Sequence, residues 1–196
     1  ADSLSVVGDE QAFAVSLAYH PIYNTQPVSL LDHLMVQFRY FQDGIGEGAL
    51  GHVRMGNADW NDTVLEQSGV DRDAMSRGGS SVLNSAMASW VLGVFAPMLE
   101  RLGEPSAARQ ALSLSNTYRH RVAAAWNGRW FDRAYIPKGA PIGRSDCWLE
   151  VQPWAILCGA ASRDQAEQVL DYIDQHHRRN SPLGARVLWP IDPSSN

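Results

Sequence analysis

Asp59-Trp60-Asn61-Asp62 places two carboxyls around an indole and a primary amide. Cleavage of the linkage between two sugars needs a protonated carboxyl at the leaving oxygen. It also needs a flat apolar wall for the sugar ring, which an indole supplies. Asp62 beside Trp60 offers both. The same residues fit a plainer use, in which Asp59 and Asp62 cap turns and Trp60 plugs the core. Six further tryptophans, Trp90, Trp126, Trp130, Trp148, Trp154 and Trp189, suit either a sugar-lined cleft or an ordinary interior.

The elements that must position this segment read as mainly helical. Residues 28 to 43 form an amphipathic helix with Leu30, Leu31, Leu34, Met35, Phe38 and Phe41 at three- and four-residue steps. Pro27 suits its first turn, and Gly44 and Gly46 stop it. From Ala49 to Gly79 no period holds, and a connection of that length is expected to be functional. Trp60, Val64 and Leu65 within it imply that it is packed. Ser80 or Ser81 caps a helix running to Leu102, with Leu83, Met87, Trp90, Val91, Val94, Phe95 and Met98 as its buried stripe and a kink at Pro97. Gly103 ends it, and Pro105 opens a helix to about Trp126. Asn127-Gly128 marks a turn. Residues 129 to 136 read as a short strand, 137 to 146 as a loop, 148 to 160 as a buried helix and 163 to 178 as an amphipathic one. Residues 182 to 196 read as irregular. Successive helices on short loops predict stacked helical hairpins. Six hairpins closed in a ring make an (α/α)6 barrel, and this chain, residues 1–196, is expected to be a single partial domain supplying roughly half of one.

Composition narrows the function classes. The chain has 196 residues, 16 basic against 21 acidic side chains, and a net charge of −5. Scattered basic residues argue against a nucleic-acid partner, which needs clustered Lys and Arg. No apolar run is expected to reach the ~20 residues that span a bilayer, and the N-terminus lacks a charged-then-apolar leader pattern. The chain begins with Ala1 rather than Met, so the expectation is a chain processed or cut from something longer. Cys147 and Cys158 are expected as free buried thiols, which fits a cytoplasmic setting. The six histidines offer no metal-ligand spacing, since His176 and His177 point to different sides of a helix.

Taken as a line, Arg54-Met55-Gly56-Asn57-Ala58-Asp59-Trp60-Asn61-Asp62 resembles the catalytic signature of the cellobiose and chitobiose phosphorylase family, and the C-terminal part of cyclic β-1,2-glucan synthases is similar. The likeness continues through Ser80-Ser81-Val82, Trp130-Phe131-Asp132-Arg133-Ala134-Tyr135, Gly139-Ala140-Pro141-Ile142-Gly143 and Gln152-Pro153-Trp154-Ala155-Ile156 with Gly159. Gly8-Asp9 and Asp32-His33-Leu34 fit upstream. The ordered set carries far more weight than any single tetrapeptide.

The resemblance implies an (α/α)6 barrel and inverting phosphorolysis. Inorganic phosphate, a co-substrate, attacks the anomeric carbon of a small-molecule carbohydrate. One carboxylic acid protonates the leaving oxygen, and neither a metal nor another cofactor is needed. By position Asp62 matches the general acid and Trp60 a residue lining the donor glucosyl site. Asp59 is the other motif acid, expected as a support that holds the loop. Arg133 and Gln152 match regular family positions and are candidate substrate contacts. A salt bridge at the strand for Arg133, and a buried amide tying helices together for Gln152, are the alternatives. Ser80 stands where the family usually has glutamate, and Thr63 where many relatives have glycine. The resemblance places the donor-site Arg and Asp before Ala1 and the phosphate-site elements after Asn196. The chain alone is therefore expected to be inactive unless the remaining parts of the enzyme, or a homodimer partner, supply them.

The motif wording leans towards cellobiose- or cellobionate-type substrates, with glucose or gluconic acid as acceptor. The half from Gly79 onwards leans towards β-1,2-glucan enzymes. A glycoside hydrolase on the same barrel is the second reading, with Glu66 or Glu150 recruited to activate water. A non-catalytic carbohydrate-binding fragment is the third.

Overall fold

In the computed structural model, residues 29–56, 64, 69–179 and 181–190 are described. The chain divides into two compact units, Ala1–Gly46 and Glu47–Asn196.

In the first unit, helix α1 spans Leu30–Tyr40. Its start is set by Ser29 rather than Pro27. Ser29 Oγ accepts from the Asp32 amide at 3.1 Å, and the Asp32 carboxylate accepts from the Ser29 amide at 3.3 Å. This reciprocal pair satisfies two amides that the first turn leaves open. The helix widens into a π-helical turn over Phe41–Ile45 and stops at Gly46, whose φ of 63° suits glycine.

The second unit is also mostly helical. Helix α2, Arg72–Gly78, is capped by Asp71 through the Ala74 amide at 2.9 Å. It lies inside the stretch expected to be without regular structure, because seven residues are too few to show a period. Four two-residue strands form an antiparallel sheet in the order β1 (Val53–Arg54), β2 (Ser80–Ser81), β3 (Ala134–Tyr135) and β4 (Pro141–Ile142). Val53 pairs with Ser81, Ser81 with Ala134, and Ala134 with Ile142. The strand expected over 129 to 136 thus shrinks to its last residues. Strand β5 (Cys147–Trp148) pairs with β6 (Leu188–Trp189). The helix expected from 148 therefore begins only at Val151, as α5 (Val151–Leu157), and part of the supposedly irregular C-terminal stretch is a strand.

Helix α3, Val82–Arg101, starts at Ser81, whose Oγ accepts from the Asn84 amide at 3.1 Å. Helix α4, Pro105–Ala124, returns against it with proline in its first turn. The expected stripe on α3 is corrected. Its inward face is Val82, Leu83, Ser85, Ala86, Ser89, Leu92, Ala96 and Leu99, while Met87, Trp90, Val91 and Val94 are exposed. α3 is apolar around most of its circumference, so hydropathy alone does not select the buried face. Ser89 Oγ donates to Ser115 O at 2.8 Å, and Ser115 Oγ donates to Ser89 O at 2.7 Å. Such reciprocal bonds require the two backbones to approach closely, which small residues permit. By length and mean hydropathy, 1.6 over its best window, α3 is long and apolar enough to cross a bilayer, although Asn84, Ser85 and Ser89 interrupt its apolar run. Its buried face nevertheless makes it the core helix of this unit. Ala111 on α4 is fully buried. Ala111→Leu is expected to overpack the hairpin and destabilise it by about 1–3 kcal/mol. Thermal unfolding checks this, and an unchanged midpoint would contradict the packing described.

Helix α6, Arg163–Tyr172, is capped by a second reciprocal pair, Ser162 with Gln165, and continues as a π-helical segment over Ile173–Arg178. Cys147 and Cys158 are both free thiols; Cys147 is buried and Cys158 half-buried.

Candidate active site

The motif residues Asp59, Trp60 and Asp62, with Glu66, lie outside the described residues. The frame on either side of them is well defined. The Met55 amide donates to Gly79 O at 2.9 Å and the Gly56 amide to Ser76 O at 3.1 Å. The Val53 amide donates to Ser85 Oγ at 2.9 Å. Met55 and, beyond the motif, Val64 are buried in one apolar cluster with Met75, Val82 and Phe131. Met55 and Val64 thus anchor the chain in the core before and after residues 57–63.

The turn before β1 is fixed from two sides. Arg121 on α4 donates to Gly51 O and to Glu47 Oε1. Gly51 has a φ of +75°, and a Cβ there would stand 2.8 Å from the Arg121 guanidinium carbon. Ser80 Oγ accepts from the Leu50 amide at 3.1 Å, and Ser80 is fully buried. A Cβ at Gly48 would collide with Gly79 O and Ser80 Oγ. The serine at position 80 is therefore matched to this turn, and a glutamate could not be placed there without moving it.

Arg133 and Gln152, the candidate substrate contacts, stand inside the unit rather than on its surface; both are fully buried. Arg133 Nε donates to Glu150 Oε1 at 2.8 Å, and its Nη1 lies 3.5 Å from Ser81 Oγ. Its backbone bonds Ile142 O at 2.8 Å and accepts from the Val82 amide at 3.2 Å. Gln152 accepts from the Phe131 amide at 3.0 Å and donates to Phe131 O and Trp148 O at 2.9 and 3.0 Å. Those bonds occupy both amide hydrogens and tie the segment before β3 to α5. Glu150, weighed as a water-activating base, is the ion-pair partner of Arg133 with its side chain only 12% exposed.

Two groups carry chemistry that the sequence did not single out. The fully buried Asp132 accepts from Asn127 Nδ2 at 2.9 Å, Tyr135 OH at 3.2 Å and Arg144 Nη2 at 2.5 Å. Burial, then the Asp132 charge, pushes the Tyr135 hydroxyl up to about 12. It therefore stays protonated and can donate. The signal available in sequence was the close spacing of Asn127, Asp132 and Tyr135, which resembles any strand flanked by polar residues. The second group is His52, buried beside β1, its ring stacked on Tyr135 at 5.6 Å. Burial, and then the Arg121 charge, lowers its pKa to about 4.

That shift makes stability depend on pH. Between pH 6.5 and about 4 the unfolded chain takes up a proton at His52 that the folded chain refuses. The folded state is favoured fully above that window and loses up to about 3 kcal/mol as pH falls through it. His52→Gln is expected to flatten this acid limb. Urea midpoints across the window check it, and an unchanged slope in the variant would contradict the assignment.

Comparison with known proteins identifies the class to which this frame belongs. The chain belongs to the glycosyl hydrolase 94 superfamily, catalytic domain, whose family model matches residues 5–191. It is 29% identical over 178 residues to the 3-O-beta-D-glucopyranosyl-beta-D-glucuronide phosphorylase of Paenibacillus borealis, covering 85% of this chain and 21% of that protein. It is 24% identical over 176 residues to the N,N'-diacetylchitobiose phosphorylase of Vibrio proteolyticus, covering 86% of this chain and 20% of that protein. Over 70 residues, 33% of this chain and 9% of the relative, it is 36% identical to the cellobionic acid phosphorylase of Neurospora crassa. The chain spans about a fifth of the length of the longer-matching relatives.

Proposed function

We propose that this chain is part of the catalytic domain of an inverting phosphorylase that cleaves a β-linked glucosyl disaccharide into α-glucose 1-phosphate and an acceptor sugar. The observation that carries the reading is the family match across residues 5–191, which includes the Asp59-to-Asp62 motif. Phosphate attacks the anomeric carbon from the face opposite the leaving group, and Asp62 delivers a proton to the leaving oxygen. Phosphate is itself a competent nucleophile, so one carboxyl suffices. Trp60 lines the donor site and Asp59 supports the loop. Arg133 and Gln152 act behind the site by holding β3, α3 and α5 in register. The hairpin of α3 and α4 is one element of an (α/α)6 barrel.

Two of the relatives are named for acid-bearing sugars, a glucuronide and cellobionic acid. Together with the motif wording, this favours a cellobiose- or cellobionate-like substrate for the complete polypeptide. The hydrolase reading needs a second carboxylate about 6.5–9.5 Å from the first to activate water. Its candidate among the described residues, Glu150, is bound to Arg133 instead. The deciding experiment incubates the complete polypeptide with β-linked glucosyl disaccharides, with and without inorganic phosphate. Cleavage only in the presence of phosphate supports the phosphorylase, and equal cleavage without it supports a hydrolase.

A further inference from the structure

The Ser85 hydroxyl makes three contacts at one buried point. Its single proton goes to Ser81 O at 2.7 Å. The Val53 amide donates to it at 2.9 Å. His52 Nδ1 lies 3.1 Å away. Because the hydroxyl hydrogen is already committed to a carbonyl, His52 must donate through Nδ1, and the ring is the neutral Nδ1–H tautomer. The lowered pKa of His52 agrees with a neutral ring. Ser85 is fully buried in the first turns of α3, and Val53 pairs with Ser81 in the sheet. One side chain therefore joins the core helix to the strand from which the motif departs. Arg133 Nη1 lies 3.5 Å from Ser81 Oγ, and Arg133 Nε donates to Glu150. A line of polar contacts thus runs from the start of α5 through the start of α3 to β1.

We infer that Ser85 is a positioning residue for the catalytic acid, fixing the height and register at which the chain leaves β1 towards Asp62. This rests on the reading of Asp62 as proton donor. β1 has two residues, pairs with β2 and bridges Glu47 at a single position, so side-chain bonds add materially to a ladder this short. Without the hydroxyl, His52 Nδ1 loses its buried acceptor and the Val53 amide loses this bond, so the link between α3 and β1 loosens. Displacing a catalytic group by about 1 Å can cost up to ~100-fold in rate.

The test uses the complete polypeptide. Ser85→Ala is expected to lower kcat for phosphorolysis by about 10- to 100-fold while KM for the disaccharide changes little. Ser85→Thr, which keeps the hydroxyl, is expected to retain most of the activity that the equally branched Ser85→Val loses. Amide exchange is the readout independent of activity. It should rise over residues 52–56 in Ser85→Ala while α3 and α4 stay protected. An unchanged kcat in Ser85→Ala, equal Thr and Val variants, or exchange rising uniformly through the helices would each overturn the inference. Should the variants not fold, the wild-type Val53 amide still decides, because free exchange there contradicts the bond on which the inference stands. Full activity in Asp62→Asn would sink the functional reading instead, so the two failures are separable.

Discussion

Asp62→Asn in the complete polypeptide is expected to reduce phosphorolysis by at least 100-fold, within the range of about 10²–10⁴-fold that one positioned acid contributes. The amide keeps the size and a hydrogen-bonding donor but has no proton to give to the departing oxygen. The loss should fall on kcat, because the carboxyl acts on charge that develops only as the bond breaks. It should shrink with substrates whose leaving group needs no proton, such as a glucosyl fluoride reacting with phosphate. Asp59→Asn is expected to cost less, since Asp59 is read as a support. If the two substitutions cost the same with both kinds of substrate, the roles given to the two acids would be wrong.

The second large effect is on stability. Arg133→Ala removes a fully buried guanidinium and takes from Glu150, whose side chain is only 12% exposed, its ion-pair partner. Breaking a buried pair on one side costs about 3–5 kcal/mol. The lost packing of the long side chain acts in the same direction. Arg133→Lys is expected to fall between, because an ammonium cannot reach Glu150 and Ser81 with the same fork. Replacing both members with apolar residues, Arg133→Met with Glu150→Met, should recover much of the loss. Denaturant unfolding of the four proteins checks this. A single-variant cost under about 1 kcal/mol would show that the pair is not the buried link described.

Where the sequence was legible, local chemistry set the answer. Ser81, one of the two serines offered as a cap, sits at the start of α3 and accepts from the Asn84 amide. Pro105 opens α4 for the same local reason. The motif and its flanking segments pointed to the family now shown. Where it was not legible, the deciding partner lay far along the chain. Cys147–Trp148 is a strand only because Leu188–Trp189 lies beside it, and residues so placed resemble the start of a helix. The stripe on α3 failed because Met87, Trp90, Val91 and Val94 are as apolar as the residues buried instead. The choice was made by Ser89 and Ser115, whose reciprocal bonds demand close backbones. Asp132 and Ser85 escaped notice because a buried carboxylate and a three-way hydroxyl have no signature in spacing.

The central claim, phosphorolysis with inversion, is tested most directly by the anomeric form of the product. Proton NMR of the complete polypeptide acting on a β-linked glucosyl disaccharide in phosphate buffer resolves the anomeric signal as it appears. Direct attack by phosphate opposite the leaving group predicts α-glucose 1-phosphate as the first glucosyl product. Appearance of β-glucose 1-phosphate, or of free glucose from the donor half of the substrate, would contradict it.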